Sequence, residues 1–185
     1  GLGNISGTSN TYLGYQSGQL ANNGADNTFL GAQSGNQTGT GNKNTAVGYN
    51  SLFSNSSGSN NTVLGNEAGK NNVIGNGNVF LGYQAGMSET GSNKLYIANS
   101  SVNPPLISGD FALGRVGIGI LVPTATFSIG NGTTEMWNVA GVDGDMNFRD
   151  PQGSITFPAS NVGSPPMIFM FATGTTNPDR MVISH

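Results

Sequence analysis

The sequence predicts an all-β protein, a repeat β-solenoid or β-roll of 17-residue coils followed by a small β-rich module, the whole an intertwined homotrimer. Three observations predict it: a pentapeptide recurs at a strict period, glycine punctuates each copy at fixed offsets, and no continuous run has the composition of a stable helix. With 30 Gly and 8 Pro in 185 residues, nearly every window carries helix-propensity penalties that packing would have to recover. The expected organisation is a solenoid repeat segment over residues 1–92, a connector over 93–113 and a β-rich module over 114–185.

The repeat is Asn10-Thr11-Tyr12-Leu13-Gly14, then Asn-Thr-Phe-Leu-Gly at 27–31, Asn-Thr-Ala-Val-Gly at 44–48, Asn-Thr-Val-Leu-Gly at 61–65 and Asn-Val-Phe-Leu-Gly at 78–82. Asn10, Asn27, Asn44, Asn61 and Asn78 are each 17 residues apart. Further positions agree: Tyr-Gln-Ser-Gly at 15–18, Ala-Gln-Ser-Gly at 32–35, Asn-Glu-Ala-Gly at 66–69 and Tyr-Gln-Ala-Gly at 83–86 follow the first glycine. The third copy departs, with Leu52 where Gly is expected. Another glycine stands ten residues after the first, at Gly24, Gly41, Gly58 and Gly75, and the fifth copy brings its own one place early at Gly91.

Seventeen residues are too few for a helical-hairpin repeat but suit one β-solenoid coil, which cannot bury its apolar face alone. Stacked coils lie about 4.8 Å apart. Leu13, Leu30, Val47, Leu64 and Leu81 are therefore expected to form an interior ladder, each followed by a corner glycine (Gly14, Gly31, Gly48, Gly65, Gly82) with positive φ or a close backbone approach. Strand alternation puts Thr11, Thr28, Thr45 and Thr62 on the same side as the ladder, and Tyr12, Phe29, Val63 and Phe80 on the other. Apolar residues on both sides of a short strand require both to be covered. One narrow coil has one interior, so a neighbouring chain is expected to cover the second side, and a closed three-fold arrangement would do so. The repeat asparagines are expected to bond from coil to coil, as stacked amides do.

Composition narrows the function. Charged residues are 8% of the chain, against roughly 25% in ordinary soluble domains, and the net charge is −3. No cluster of Lys and Arg exists to hold a nucleic-acid backbone. Disorder is not expected either, because nine Phe, five Tyr and one Trp sit in regularly spaced apolar runs. No stretch approaches the ~20 apolar residues of a membrane helix, and Gly1 opens no charged-then-apolar leader, so the chain reads as a mature product or a piece that starts in mid-repeat. There are no cysteines to form disulfides or thiolate metal sites.

Beyond Asn93 the register is expected to be lost. Asn93 to Ile97 reads as a strand, Pro104-Pro105 as a break, and 114–119 and 125–129 as strands, with further short strands at 135–140, 145–149, 154–158, 166–172 and 180–184. Trp137, Phe148 and Phe157 are the expected core anchors of the module, and Met167 to Ala172 a buried run between subunits.

The Asn-Thr-x-Leu-Gly-x-x-Ser/Ala-Gly unit, Asn93-Lys94-Leu95-Tyr96-Ile97, Pro105-Leu106-Ile107-x-Gly109-Asp110-Phe111 and Gly114-Arg115-Val116-Gly117-Ile118-Gly119 with Pro123-Thr124-Ala125 together resemble the shaft and head segments of bacteriophage tail-fibre proteins, of the kind that lie upstream of an endosialidase-type chaperone. The first part is also similar to the β-roll heads of trimeric autotransporter adhesins. The resemblance implies a homotrimeric, non-enzymatic structural fibre segment on a virion surface or otherwise extracellular. Its partners would be itself, other fibre or virion proteins and a host-surface glycan or protein, with no membrane insertion. A bacterial cell-surface adhesin or extracellular filament, and a polysaccharide-degrading spike, are the alternatives.

No catalytic, cofactor-binding or metal residues are assigned. His185, the single histidine, ends the chain. Asp143, Asp145 and Asp150 suggest a Ca²⁺ loop, but Phe148 and Ser154 occupy its glycine and closing-acid positions, so a turn is expected. The nine acids are too scattered for paired-carboxylate glycoside hydrolysis. The 114–119 glycines lack the dinucleotide spacing and read as strand and turn. Tyr15, Tyr49 and Tyr83 share one repeat position and are candidate glycan contacts, since flat amphipathic rings stack on sugars; the competing expectation is that they staple coils or subunits. An ice- or mineral-binding threonine face ranks last, because this register turns the threonines inward.

Overall fold

The computed structural model describes residues 3–132 and 135–139, with side chains as far as Gly130. The expectations for His185, for Asp143, Asp145 and Asp150, for the core anchors and for the strands from 145 onward lie outside the described residues and side chains. Within them the chain is all-β, with no helix. It forms a β-solenoid of about five turns whose ladder continues into three further strands and a terminal hairpin.

Each coil contributes one three-residue strand: β1 (Thr11–Leu13), β2 (Thr28–Leu30), β3 (Thr45–Val47), β4 (Thr62–Leu64) and β5 (Val79–Leu81). They pair in parallel with equivalent residues opposite each other, Tyr12 against Phe29 and Leu13 against Leu30 onward through Leu64 against Leu81. The remainder of each coil is turn, yet it is still bonded to its neighbour. Gly35 N donates to Ser51 O at 2.9 Å and Asn23 N to Gly39 O at 2.9 Å. This is how a chain with so few strand residues keeps its backbone groups paired.

The 17-residue register is lost before Asn93, where the spacing falls to 16, but the stacking goes on. β6 (Lys94–Ile97) pairs in parallel with β5, placing Leu95 against Val79, Tyr96 against Phe80 and Ile97 against Leu81. The fifth coil is one residue short, as the early Gly91 foreshadows, and the stack absorbs the deletion. Asn78 Nδ2 still reaches Gly91 O at 2.9 Å, the bond that Asn61 makes to Gly75 O at 2.9 Å. Parallel growth then stops. β7 (Ile107–Asp110), which falls inside the expected connector, pairs antiparallel with β6, and β8 (Arg115–Ile120) pairs antiparallel with β7. β9 (Phe127–Gly132) returns parallel to β8, and β10 (Glu135–Val139) closes antiparallel on β9.

The expected direction of the leucine ladder is wrong. The interior column is Tyr12, Phe29, Ala46, Val63, Phe80 and Tyr96, with Phe29 and Phe80 fully buried, whereas Leu13 is 70% and Leu64 41% exposed. Leu30, Val47 and Leu81 on the same outer column are half-buried. The pleat keeps Thr and Leu together as expected, but both face outward. The reason is space. A side chain at Gly35 or Gly86 would run into the ring of Phe29 or Phe80, the latter at 2.6 Å, so these glycines open the room that the aromatic residues fill. Tyr12 and Phe29 stack at 5.2 Å with planes 9° apart, and Phe80 and Tyr96 at 5.6 Å and 23°.

The third coil tests this account within the molecule. It has Ala46 where the other coils have Tyr, Phe or Val, and Leu52 where they have Gly18, Gly35, Gly69 and Gly86. Leu52 is fully buried in the same cluster as Ala46 and Phe29. It keeps the left-handed backbone of the column, φ 52° against 55° at Gly35. The small residue and the large one have changed places, so the interior stays filled at some cost in backbone strain.

Candidate functional site

The surface that distinguishes this molecule is the outer face of the five-strand ladder and the corner beside it. Its geometry is set by two internal columns. In the first, each repeat asparagine accepts from the backbone of the next coil: Asn27 N donates to Asn10 Oδ1 at 2.9 Å, Asn44 N to Asn27 Oδ1 at 2.9 Å, Asn61 N to Asn44 Oδ1 at 3.0 Å, Asn78 N to Asn61 Oδ1 at 3.0 Å and Lys94 N to Asn78 Oδ1 at 2.8 Å. The Nδ2 groups donate to Gly24, Gly41, Gly58, Gly75 and Gly91 carbonyls at 2.7–2.9 Å. Asn27, Asn44, Asn61 and Asn78 are buried, and these bonds are what make their burial tolerable. The coil-to-coil amide ladder expected from the sequence is present.

The second column is the corner Gly14, Gly31, Gly48, Gly65 and Gly82, all with φ between 113° and 140°. A Cβ on Gly14 or Gly48 would fall 2.5 Å from the carbonyl oxygen of the glycine one coil on. The corner is therefore both left-handed and too close to its neighbour for any side chain. It turns the backbone sharply between the outward leucine and the residue that follows the glycine.

These two columns hold three outward rows in register with the coils. The first is Thr11, Thr28, Thr45 and Thr62, and the second Leu13, Leu30, Val47, Leu64 and Leu81, side by side on one sheet face. The third lies past the corner and holds Tyr15, Tyr49 and Tyr83, separated by Ala32 and Asn66. Tyr15 is 73% exposed, Tyr49 49% and Tyr83 50%. Beside this row run Gln16, Gln33, Asn50, Glu67 and Gln84, each with positive φ. Gln33 Nε2 donates to Gln16 Oε1 at 3.0 Å and Gln84 Nε2 to Glu67 Oε2 at 2.8 Å. Glu67 is also paired with Lys70 at 2.6 Å, and that bond holds its carboxyl below the usual carboxylate range. Among the described residues the structure thus brings every sequence-assigned repeat residue onto one face or its corner.

A separate cleft of about 90 Å³ sits at the end of the solenoid, lined by residues that include Glu89, Tyr96, Asn103 and Leu121. Tyr96 OH donates to Glu89 Oε2 at 2.5 Å, and Gly91 N donates to Glu89 Oε1 at 2.6 Å. Burial first, and the Glu89 carboxylate second, push the Tyr96 phenol well above its ordinary range. Both carboxylate oxygens are engaged in closing the last coil, so the cleft reads as a cap on the stack. No group of three or more His, Cys, Asp or Glu able to hold a metal ion occurs among the described residues.

Comparison with known proteins yields no match: no family model, no curated protein and no solved structure is significantly similar to this chain.

Proposed function

We propose that this chain is a segment of a non-enzymatic structural fibre, carried on a virion or otherwise outside a cell, that assembles as a homotrimer through its Thr-x-Leu face and supports attachment to a host surface. The observation that carries the reading is the outward column Leu13, Leu30, Val47, Leu64 and Leu81, an uninterrupted apolar row on a regular sheet face with Leu13 70% exposed. A continuous apolar strip that one chain leaves half-buried to exposed is the kind of surface that favours association. Three strips closing about one axis, a heterologous contact that closes on itself, bury the row completely in every copy. The roles of the two strand faces are the reverse of the sequence expectation, but the need for a neighbouring chain is the same.

The test is the mass of the assembly. Sedimentation equilibrium on the whole chain should give three times 18.9 kDa, and the double variant Leu30→Lys and Leu64→Lys should be monomeric while keeping its β-type circular dichroism. A compact wild-type monomer overturns the trimer. The threonines favour one competing reading: they face outward with the leucines, against the sequence expectation, and a flat threonine row is also the form of an ice-binding surface. A monomer that shows thermal hysteresis decides for that reading. Release of reducing ends from a bacterial capsule would decide for a polysaccharide-degrading spike.

A further inference from the structure

We propose that Tyr15, Tyr49 and Tyr83 form a ladder that binds a neutral, flat, extended β-linked polysaccharide lying along the coil axis, with every second sugar ring stacked on a tyrosine. The inference rests on the attachment reading above and adds where the ligand lies and what its chemistry is. The tyrosines occur at one repeat position in the first, third and fifth coils, and the intervening positions are the small residues Ala32 and Asn66. Coils stand about 4.8 Å apart, so successive rings are about 9.6 Å apart along the axis. In a flat β-linked ribbon of the cellulose or chitin type, adjacent sugars are related by a half turn, and only alternate rings present the same face. That repeat is one disaccharide, whose length is close to two coils. A helical α-linked glucan has no such match.

The surroundings of the ladder fit the same ligand. Gln16, Gln33 and Gln84 form a neighbouring row of amides whose donors and acceptors suit sugar hydroxyls, while Asn50 at the same repeat position is buried, and the two Gln-centred side-chain bonds hold that row in register. The row's one charge, Glu67, is already paired with Lys70, which favours a neutral chain over a sulphated or sialylated one. The tyrosine backbones take part in the stack, since Gln33 N donates to Tyr15 O at 2.7 Å and Glu67 N to Tyr49 O at 2.8 Å. Their exposed side chains are therefore free to be changed without disturbing the coil.

Calorimetric titration of the full chain with cellohexaose and chitohexaose, with maltohexaose and the two disaccharides as controls, tests the proposal. One or both β-linked hexamers should bind at least about tenfold more tightly than the corresponding disaccharide, because they span three rings where a disaccharide meets one. Tyr49→Ala should weaken hexamer binding by about tenfold, equivalent to about 1.4 kcal/mol, and Tyr49→Phe should keep most of the affinity. No binding of either hexamer, equal affinity for disaccharide and hexamer, equal affinity for maltohexaose, or indifference to Tyr49→Ala overturns the ladder. So does a Tyr49→Ala chain that falls apart into smaller species, which would make the rings inter-chain staples. A trimer that ignores both hexamers sinks the ladder alone; a monomer that binds them sinks the trimer alone.

Discussion

The inward column Tyr12, Phe29, Ala46, Val63, Phe80 and the outward column Leu13, Leu30, Val47, Leu64, Leu81 sit on the same strands, one residue apart, and both are apolar. The first is buried from Phe29 to Phe80 and half-buried at Tyr12; the second is half-buried to exposed. The difference is made outside the strands, at Gly18, Gly35, Gly69 and Gly86, whose missing side chains open space on one side of the sheet only. Hydrophobicity decides that a residue seeks cover; the backbone opposite decides where cover exists. The outward column is then the part of the sequence's apolar content that folding of one chain leaves unsatisfied.

The largest effect is expected where the inner column is emptied. Phe80→Ala removes a fully buried ring that stacks on Tyr96 and fills the space beside Gly69 and Gly86, and should cost about 3–5 kcal/mol. Leu64→Ala, on the outer column, should change monomer stability far less, within roughly 1 kcal/mol. Urea titration of both variants under monomeric conditions measures the gap, and equal losses would break the distinction between the columns.

The third coil sharpens it. Leu52→Gly should destabilise by about 2–4 kcal/mol through the cavity left beside Ala46, partly offset by relief of the left-handed backbone at position 52. Ala46→Phe alone should overpack the same space and cost about 1–3 kcal/mol. The double variant recreates the Phe29/Gly35 pairing and should recover most of both losses. A double-mutant cycle with no coupling would show that the two positions do not share one volume.

The smallest effect is electrostatic. Lys94 Nζ, 2.8 Å from Asp110 Oδ2, holds that carboxyl below its ordinary value, helped by the Ala112 and Leu113 amides. Because the folded pKa is depressed, the pair contributes its stability above the unfolded value of about 3.9, and the contribution fades as pH falls through the lower folded value. Pairs that keep contact with solvent, as this half-buried one does, are weak. Melting temperatures of the wild type and Asp110→Asn should therefore differ slightly near neutrality and converge in acid, and a gap independent of pH would remove the assignment.

Much of this was legible in the residues. The period located β1 to β5, the recurrent asparagine signalled the amide ladder, and Lys94 to Ile97 carried a strand pattern of its own. The side of each strand that faces in was not legible from alternation, because period two says which residues share a face and not which face is covered. A signal for it did exist. Ala46 and Leu52 are both anomalies of the same coil, and the exchange of a large and a small residue between two positions implies that the two share one space. β7 was missed because the prolines at 104 and 105 marked a break, and Ile107-Ser108-Gly109-Asp110 carries little apolar pattern; its place comes from pairing with β6. The tyrosine row was legible as one repeat position shared by Tyr15, Tyr49 and Tyr83, and the structure leaves their side chains exposed.

The asparagine ladder has a direction, and a second column opposes it. From Asn10 to Asn78 each Oδ1 of the ladder accepts from the backbone amide of the coil that follows, whereas Asn42 Oδ1 and Asn76 Oδ1 accept from Ala25 N and Ser59 N of the coil before, so the two side-chain columns run in opposite senses along the stack. The first column ends closed, because Asn78 Oδ1 at its last rung accepts from Lys94 N at 2.8 Å. The side chains of one coil thus clamp both of its neighbours, the preceding one through Asn42 and the following one through Asn27.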